Sequence, residues 1–102
     1  MTHQLVFQFN ATTTEEYERF IDLGHKIEEA LPAEALLDGH DFGMGEFNIF
    51  IHTNNPKTFF ELVCEVIARE HPDLAFSAGY RSFEEDDYTA IWPQNSAKFS
   101  VL

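Results

Sequence analysis

The chain has 102 residues, 44% of them hydrophobic and 15% aromatic, with eleven Phe. That is enough for one domain, 1–102, with a Phe-rich core; it is too little for two ordinary domains, and it argues against disorder. Eighteen Asp and Glu against six Lys and Arg give a formal net charge of -12, so neither nucleic acid nor an anionic membrane is an expected partner.

At Met1-Thr2-His3-Gln4 no basic region leads into an apolar core, and no apolar run approaches the roughly 20 residues that span a bilayer. A cytoplasmic protein is expected. From His3 to Asn10 the chain alternates, with Leu5, Phe7 and Phe9 on one side and Gln4, Gln8 and Asn10 on the other, which is the period of a half-buried strand. Thr12 with Glu15, or Thr13 with Glu16, can form a capping box that starts a helix. The helix is predicted from about Thr14 to Leu31: Tyr17, Phe20, Ile21, Gly24, Ile27 and Leu31 recur at steps of three and four, and Pro32 stops the run. Glu15, Glu18, Asp22, His25 and Glu29 fall on its outer side. That stripe reads either as a solvated face or as a docking strip for a basic protein.

Ala35 to Phe42 and Glu46 to Thr53 are expected as an antiparallel hairpin around Gly43-Met44-Gly45. Pairing residue 42 with 46 puts Phe47, Ile49 and Ile51 on one face with Leu37, Gly39 and Asp41. It puts Asn48, Phe50 and His52 on the other face with Asp38 and His40. Asn54-Asn55-Pro56 supplies a cap and a first-turn proline for a second helix reaching about Glu70, with Phe59, Phe60, Val63, Val66 and Ile67 inside. Cys64, the single cysteine, widens that stripe and reads as a small core residue; with no cysteine to pair with, a reducing setting fits. A fourth strand is expected from Leu74 toward Phe83. Glu84, Glu85, Asp86 and Asp87 interrupt it as a loop, and Tyr88 to Trp92 returns as a fifth strand ended by Pro93. Residues 94–102 form a tail, extended or docked through Phe99 and Val101.

The order strand, helix, strand, strand, helix, strand implies an α+β ferredoxin-like βαββαβ two-layer sandwich with a C-terminal extra strand or hairpin. Its second sheet face is expected to present Gln4, Val6, Gln8, Asn48, Phe50, His52, Ser77 and Gly79 to water, to a ligand or to a second copy in a homodimer. Asp38, His40, Asn48 and His52 are the candidate ligand-binding residues. Imidazole beside carboxylate suits a transition metal, but the spacing matches no metal template, and neither a metal nor a cofactor is assigned. His40 with Asp38 or Asp41 could serve acid-base chemistry. No nucleophile or oxyanion loop accompanies the pair, so no catalytic residue is named. The glycines at 39, 43 and 45 lead into a strand beside acidic neighbours, which argues against a phosphate loop. Phe50, Tyr80 and Trp92 are a candidate aromatic patch.

The run Gly39-His40-Asp41-Phe42-Gly43-Met44-Gly45-Glu46-Phe47-Asn48-Ile49-Phe50-Ile51, followed by Asn54-Asn55-Pro56, resembles a segment of small bacterial domains of unassigned function. Some of these are similar to immunity proteins, which neutralise a toxin by binding it. The resemblance implies a protein-interaction module, and the charge implies a basic protein partner for Glu15, Glu18, Asp22, Glu29 and the loop Glu84, Glu85, Asp86 and Asp87.

Overall fold

The computed structural model describes residues 1–96 and 98–101; of the predicted tail, Ala97 and Leu102 lie outside the described residues. The elements run β1(His3–Asn10), α1(Thr14–Ala30), β2(Ala35–Gly43), β3(Glu46–Thr53), α2(Pro56–Glu70), β4(Ser77–Ser82) and β5(Thr89–Trp92). The strands make one five-stranded sheet in the order β2-β3-β1-β4-β5. Every neighbouring pair is antiparallel. The fold is α+β, with both helices on one side of the sheet.

The alternation of β1 explains that layering. Leu5, Phe7 and Phe9 point to one face and are buried. There Phe9 stacks on Phe20 of α1 with ring centroids 4.7 Å apart, and Phe7 stacks on Phe60 of α2 at 5.8 Å. Leu23 and Ile27 from α1 and Phe59, Val63, Val66 and Ile67 from α2 complete a single core. Each such side chain removed from water contributes about 1.5–3 kcal/mol.

Local chemistry sets the helix ends. Of the two capping boxes the sequence allows, Thr13 with Glu16 forms: the Glu16 backbone N–H donates to Thr13 Oγ1 at 3.1 Å. Glu16 Oε1 in turn accepts from the backbone N–H groups of Thr12 at 3.0 Å and Thr13 at 3.2 Å. At α2 the expected asparagine cap is not made. Asn55 holds the N-cap position without a side-chain hydrogen bond, and Asn54 Oδ1 instead accepts from the Thr2 backbone N–H at 2.9 Å. Pro56, at the first turn, needs no partner for the N–H it lacks.

Two strands start later than their sequence pattern predicts. Leu74 donates its N–H to the His71 carbonyl in a turn at 3.1 Å, so β4 begins at Ser77. Tyr88 precedes β5 and sends its hydroxyl across the sheet to Gln4 Oε1.

The second sheet face is not open. Val6 is fully buried there and Asn48 is 2% exposed, because the tail folds across it. Gln8 Nε2 donates to the Ser100 carbonyl at 2.8 Å, and the Phe99 ring, only 8% exposed, lies over Gly79. The Tyr88 ring meets Phe99 edge-on at 5.3 Å. A side chain at residue 79 would occupy the space that Phe99 fills, so glycine there provides the notch for the tail.

Candidate functional site

The hairpin turns on two residues with positive φ, Met44 at 55° and Gly45 at 80°. This is the handedness that matches strand twist in two-residue hairpin loops. Gly43 therefore belongs to β2 and pairs with Glu46, and Phe42 pairs with Phe47, one residue out of the predicted register. A second irregularity lies between Leu37 and Gly39, where the pairing skips Asp38. Gly39, with φ of 147°, sits at this bulge, and a bulge re-aims the side chains on either side of it.

These two shifts redistribute the candidate ligand-binding residues. Asp38 and His52 do meet on the second face, with Asp38 Oδ2 3.5 Å from His52 Nε2. The approach lacks hydrogen-bond alignment, leaving the buried His52 Nε2 without a hydrogen-bond partner. The His52 ring stands perpendicular to Phe83 at 4.9 Å. His40, expected on that same face, is on the helix side instead: it pairs with Ile49 and stacks on Phe47 at 5.1 Å and 7°. Asn48 is tied up structurally, accepting from Gln8 Nε2 at 3.1 Å and donating to Glu46 Oε1 at 3.3 Å. Asp38, His40, Asn48 and His52 thus do not converge. Among the described residues no three His, Cys, Asp or Glu side chains are grouped to hold a metal ion.

The predicted aromatic patch also divides. Phe50 pairs with Val6 on the second face. Trp92 stacks on Phe76 at 6.0 Å, and Tyr80 tilts against His3 at 6.0 Å. Cys64 is half-buried. Desolvation, reinforced by the Glu61 carboxylate, pushes its thiol up to about 11, so at neutral pH it is a protonated, weakly nucleophilic group.

The acidic residues lie at the surface. Glu15, Glu18, Asp22 and Glu29 are all exposed on α1, and Glu84, Glu85, Asp86 and Asp87 are all exposed between β4 and β5. Arg19 and Lys26 follow Glu15 and Asp22 at helical i,i+4 spacing without forming ion pairs. Among the described residues the one pair between a Lys or Arg and a carboxylate is Arg69 with Glu70, at 3.3 Å. Arg81, the cation nearest in sequence to the acidic loop, donates to the Glu85 backbone carbonyl at 3.0 Å. Its guanidinium lies over the rings of Tyr88 at 5.7 Å and Phe83 at 5.9 Å. Arg81 thereby shapes the loop and leaves its carboxylates uncompensated.

A further feature was not anticipated from the sequence. Between α1 and the edge strand β2 lies a cavity of about 240 Å³ walled by Ile21, Gly24, Leu37, Phe47 and Ile49, with Glu28 and His40 among its lining. Asp38-Gly39 inside a strand pattern is the signal that could have revealed the bulge beside it.

No protein-family model and no curated protein matches the chain. A solved structure similar to it is the de novo designed protein Ferredog-Diesel, 14% identical, with a TM-score of 0.48 over 79% of this chain and 84% of that one. Among the described residues no helix is long and apolar enough to cross a membrane.

Proposed function

We propose that this chain is a small acidic protein-interaction module, immunity-like or regulatory, that binds a basic protein partner. We read its scaffold as a ferredoxin-like sandwich extended at one edge by β5; the support is the helix pair on one face and β1 and β3 at the centre of the sheet. The observation that carries the functional reading is the set of exposed carboxylates on α1 and in the 84–87 loop with which, among the described residues, no Lys or Arg forms an ion pair. Complementary charge accelerates encounter, and its effect fades as salt shortens the screening length to about 8 Å at physiological ionic strength and below.

The test is recovery of a partner from the native host at low salt. A basic partner is expected, lost at high salt and weakened when Glu84, Glu85, Asp86 and Asp87, or Glu15, Glu18, Asp22 and Glu29, become amides together. Recovery of no partner, or of one indifferent to both sets of substitutions, removes this reading.

The close approach of Asp38 to a buried His52 nitrogen favours a second reading, a small-molecule sensor at that pair. A ligand that raises the melting temperature of the wild type and not of His52→Ala would support it. A thermal-shift screen without such a ligand would not.

A further inference from the structure

The two edges of the sheet are guarded unequally. β5 is four residues long and is followed by Pro93, and short edges and prolines both discourage further pairing. β2 is nine residues long and contains neither Lys nor Pro; its protection is the bulge at Asp38 and the acidic Asp38 and Asp41, which oppose a like-charged strand and not a basic one. It carries Leu36 at 55% and Phe42 at 41% exposure, and the adjoining turn carries Met44 at 83%. Met44 also holds positive φ, a conformation that Asn or Gly adopts at lower cost. The sequence therefore keeps an exposed apolar side chain at this tip against local preference.

The cavity under α1 opens beside this edge. A strand laid along β2 would direct alternate side chains beneath α1, where Ile21, Leu37 and Ile49 offer apolar walls. At about 240 Å³ the cavity is smaller than the roughly 300–1,000 Å³ of sites for drug-sized ligands, and is suited to one aliphatic or aromatic side chain.

Charge selects the occupant. Residues 27 to 56 carry Glu28, Glu29, Glu34, Asp38, Asp41 and Glu46 and no Lys or Arg. A second copy pairing antiparallel about the middle of β2 would bring Asp38 of each chain opposite Asp41 of the other, between chains of net charge -12 each, and like charges across a strand pair repel. A basic strand meets the opposite situation.

We propose that the β2 edge and the α1–β2 cavity receive an extended basic segment of a protein partner, which adds a strand to the sheet and buries one apolar side chain beneath α1. This deepens the basic-partner reading and rests on it. Main-chain hydrogen bonds to β2 supply affinity, and the cavity and carboxylates supply selection.

The experiment uses the whole chain, isotope-labelled for backbone NMR, and a nonapeptide of alternating Lys and Val with Phe at the central apolar position. Two further peptides carry N-methyl groups on alternate residues, one on each alternation, which removes hydrogen-bond donors from one edge and keeps the charge. Binding is expected to shift and protect the amides of residues 36 to 42. One N-methylated peptide is expected to bind at least about tenfold more weakly, the floor set by losing one or two of the four or five donors removed, and the other to bind as the parent does. Gly24→Leu fills the cavity from a helical position that favours leucine, and is expected to weaken the parent peptide by a similar factor.

If both N-methylated peptides bind as the parent does, or shifts confine themselves to the outer face of α1 and the 84–87 loop, the edge proposal falls and the acidic-surface reading stands. If no peptide binds even at low salt, both fall.

Discussion

Replacing Gly79 with alanine sets a methyl group against the ring that closes the second face of the sheet. The new Cβ would lie 2.6 Å from Cγ and Cδ1 of Phe99 and 2.9 Å from its Cβ, well inside contact distance. Either the tail stays and the contact is strained, at about 1–3 kcal/mol, or Phe99 leaves and its burial, worth about 1.5–3 kcal/mol, is forfeited. Alanine in a strand returns about 0.5–1 kcal/mol relative to glycine. A net loss of about 1–2 kcal/mol is expected, and at about 4–8 °C per kcal/mol for a domain of this size the melting temperature should fall by about 5–15 °C. Urea unfolding gives the free energy, and trypsin cleavage at the exposed Lys98 reports whether the tail has left. The decisive comparison is Gly79→Ala in a Phe99→Gly background, where the ring and the Cβ that the new methyl would meet are both gone and the substitution should be neutral or stabilising. Equal effects in both backgrounds, within the roughly 0.3–0.5 kcal/mol expected of independent sites, would refute the notch-and-ring account.

Thr13→Ala should cost about 1 kcal/mol in chemical denaturation, the usual value of a helix N-cap. The Thr12 backbone N–H, with Thr13, holds the Glu16 carboxyl below the ordinary glutamate range. Its contribution is therefore present above the unfolded-state pKa and lost as pH falls through the lowered folded value, so Glu16→Gln should flatten the acid limb of a stability titration. Cys64 has a folded pKa raised from 9.0 to about 11. The unfolded chain ionises first, and this site should lose stability as pH rises from about 9 to about 11, a slope that Cys64→Ala removes; iodoacetamide at neutral pH should label the native thiol more slowly than the unfolded one. Met44→Asn should raise stability by up to about 1 kcal/mol by relieving the positive φ, measured as a shift in the urea midpoint.

Strong periodicity and single punctuating residues made most elements legible. β1 has one polar and one apolar side, Thr13 and Glu16 mark a helix start, and Pro32 and Pro93 stop runs whose observed ends lie within a residue or two of the predicted ones. Pairing was less legible, because it depends on backbone dihedrals that composition does not encode. Three residues around two glycines allow several turns, and the one adopted places positive φ on Met44 and Gly45. The bulge at Asp38 then displaces His40 to the helix side while keeping Asp38 beside His52. A cluster inferred from a D-x-H spacing survives only as its outer pair. The tail could not be placed from its own composition either. Phe99 has a seat because Gly79, twenty residues earlier in the chain, leaves space on a strand that pairs with Val6 of β1.

That seat has a consequence for how the molecule opens. β1 is hydrogen-bonded to β3 on one side and β4 on the other, and lies beneath the helices on one face and the tail on the second. Its amides should exchange with solvent only when the whole domain unfolds, whereas β2 and β5, each paired on a single side, can fray from their outer margins first. The margin proposed to receive a partner is thus among the parts that move earliest, and a strand can join or leave there without disturbing the slow-exchanging centre.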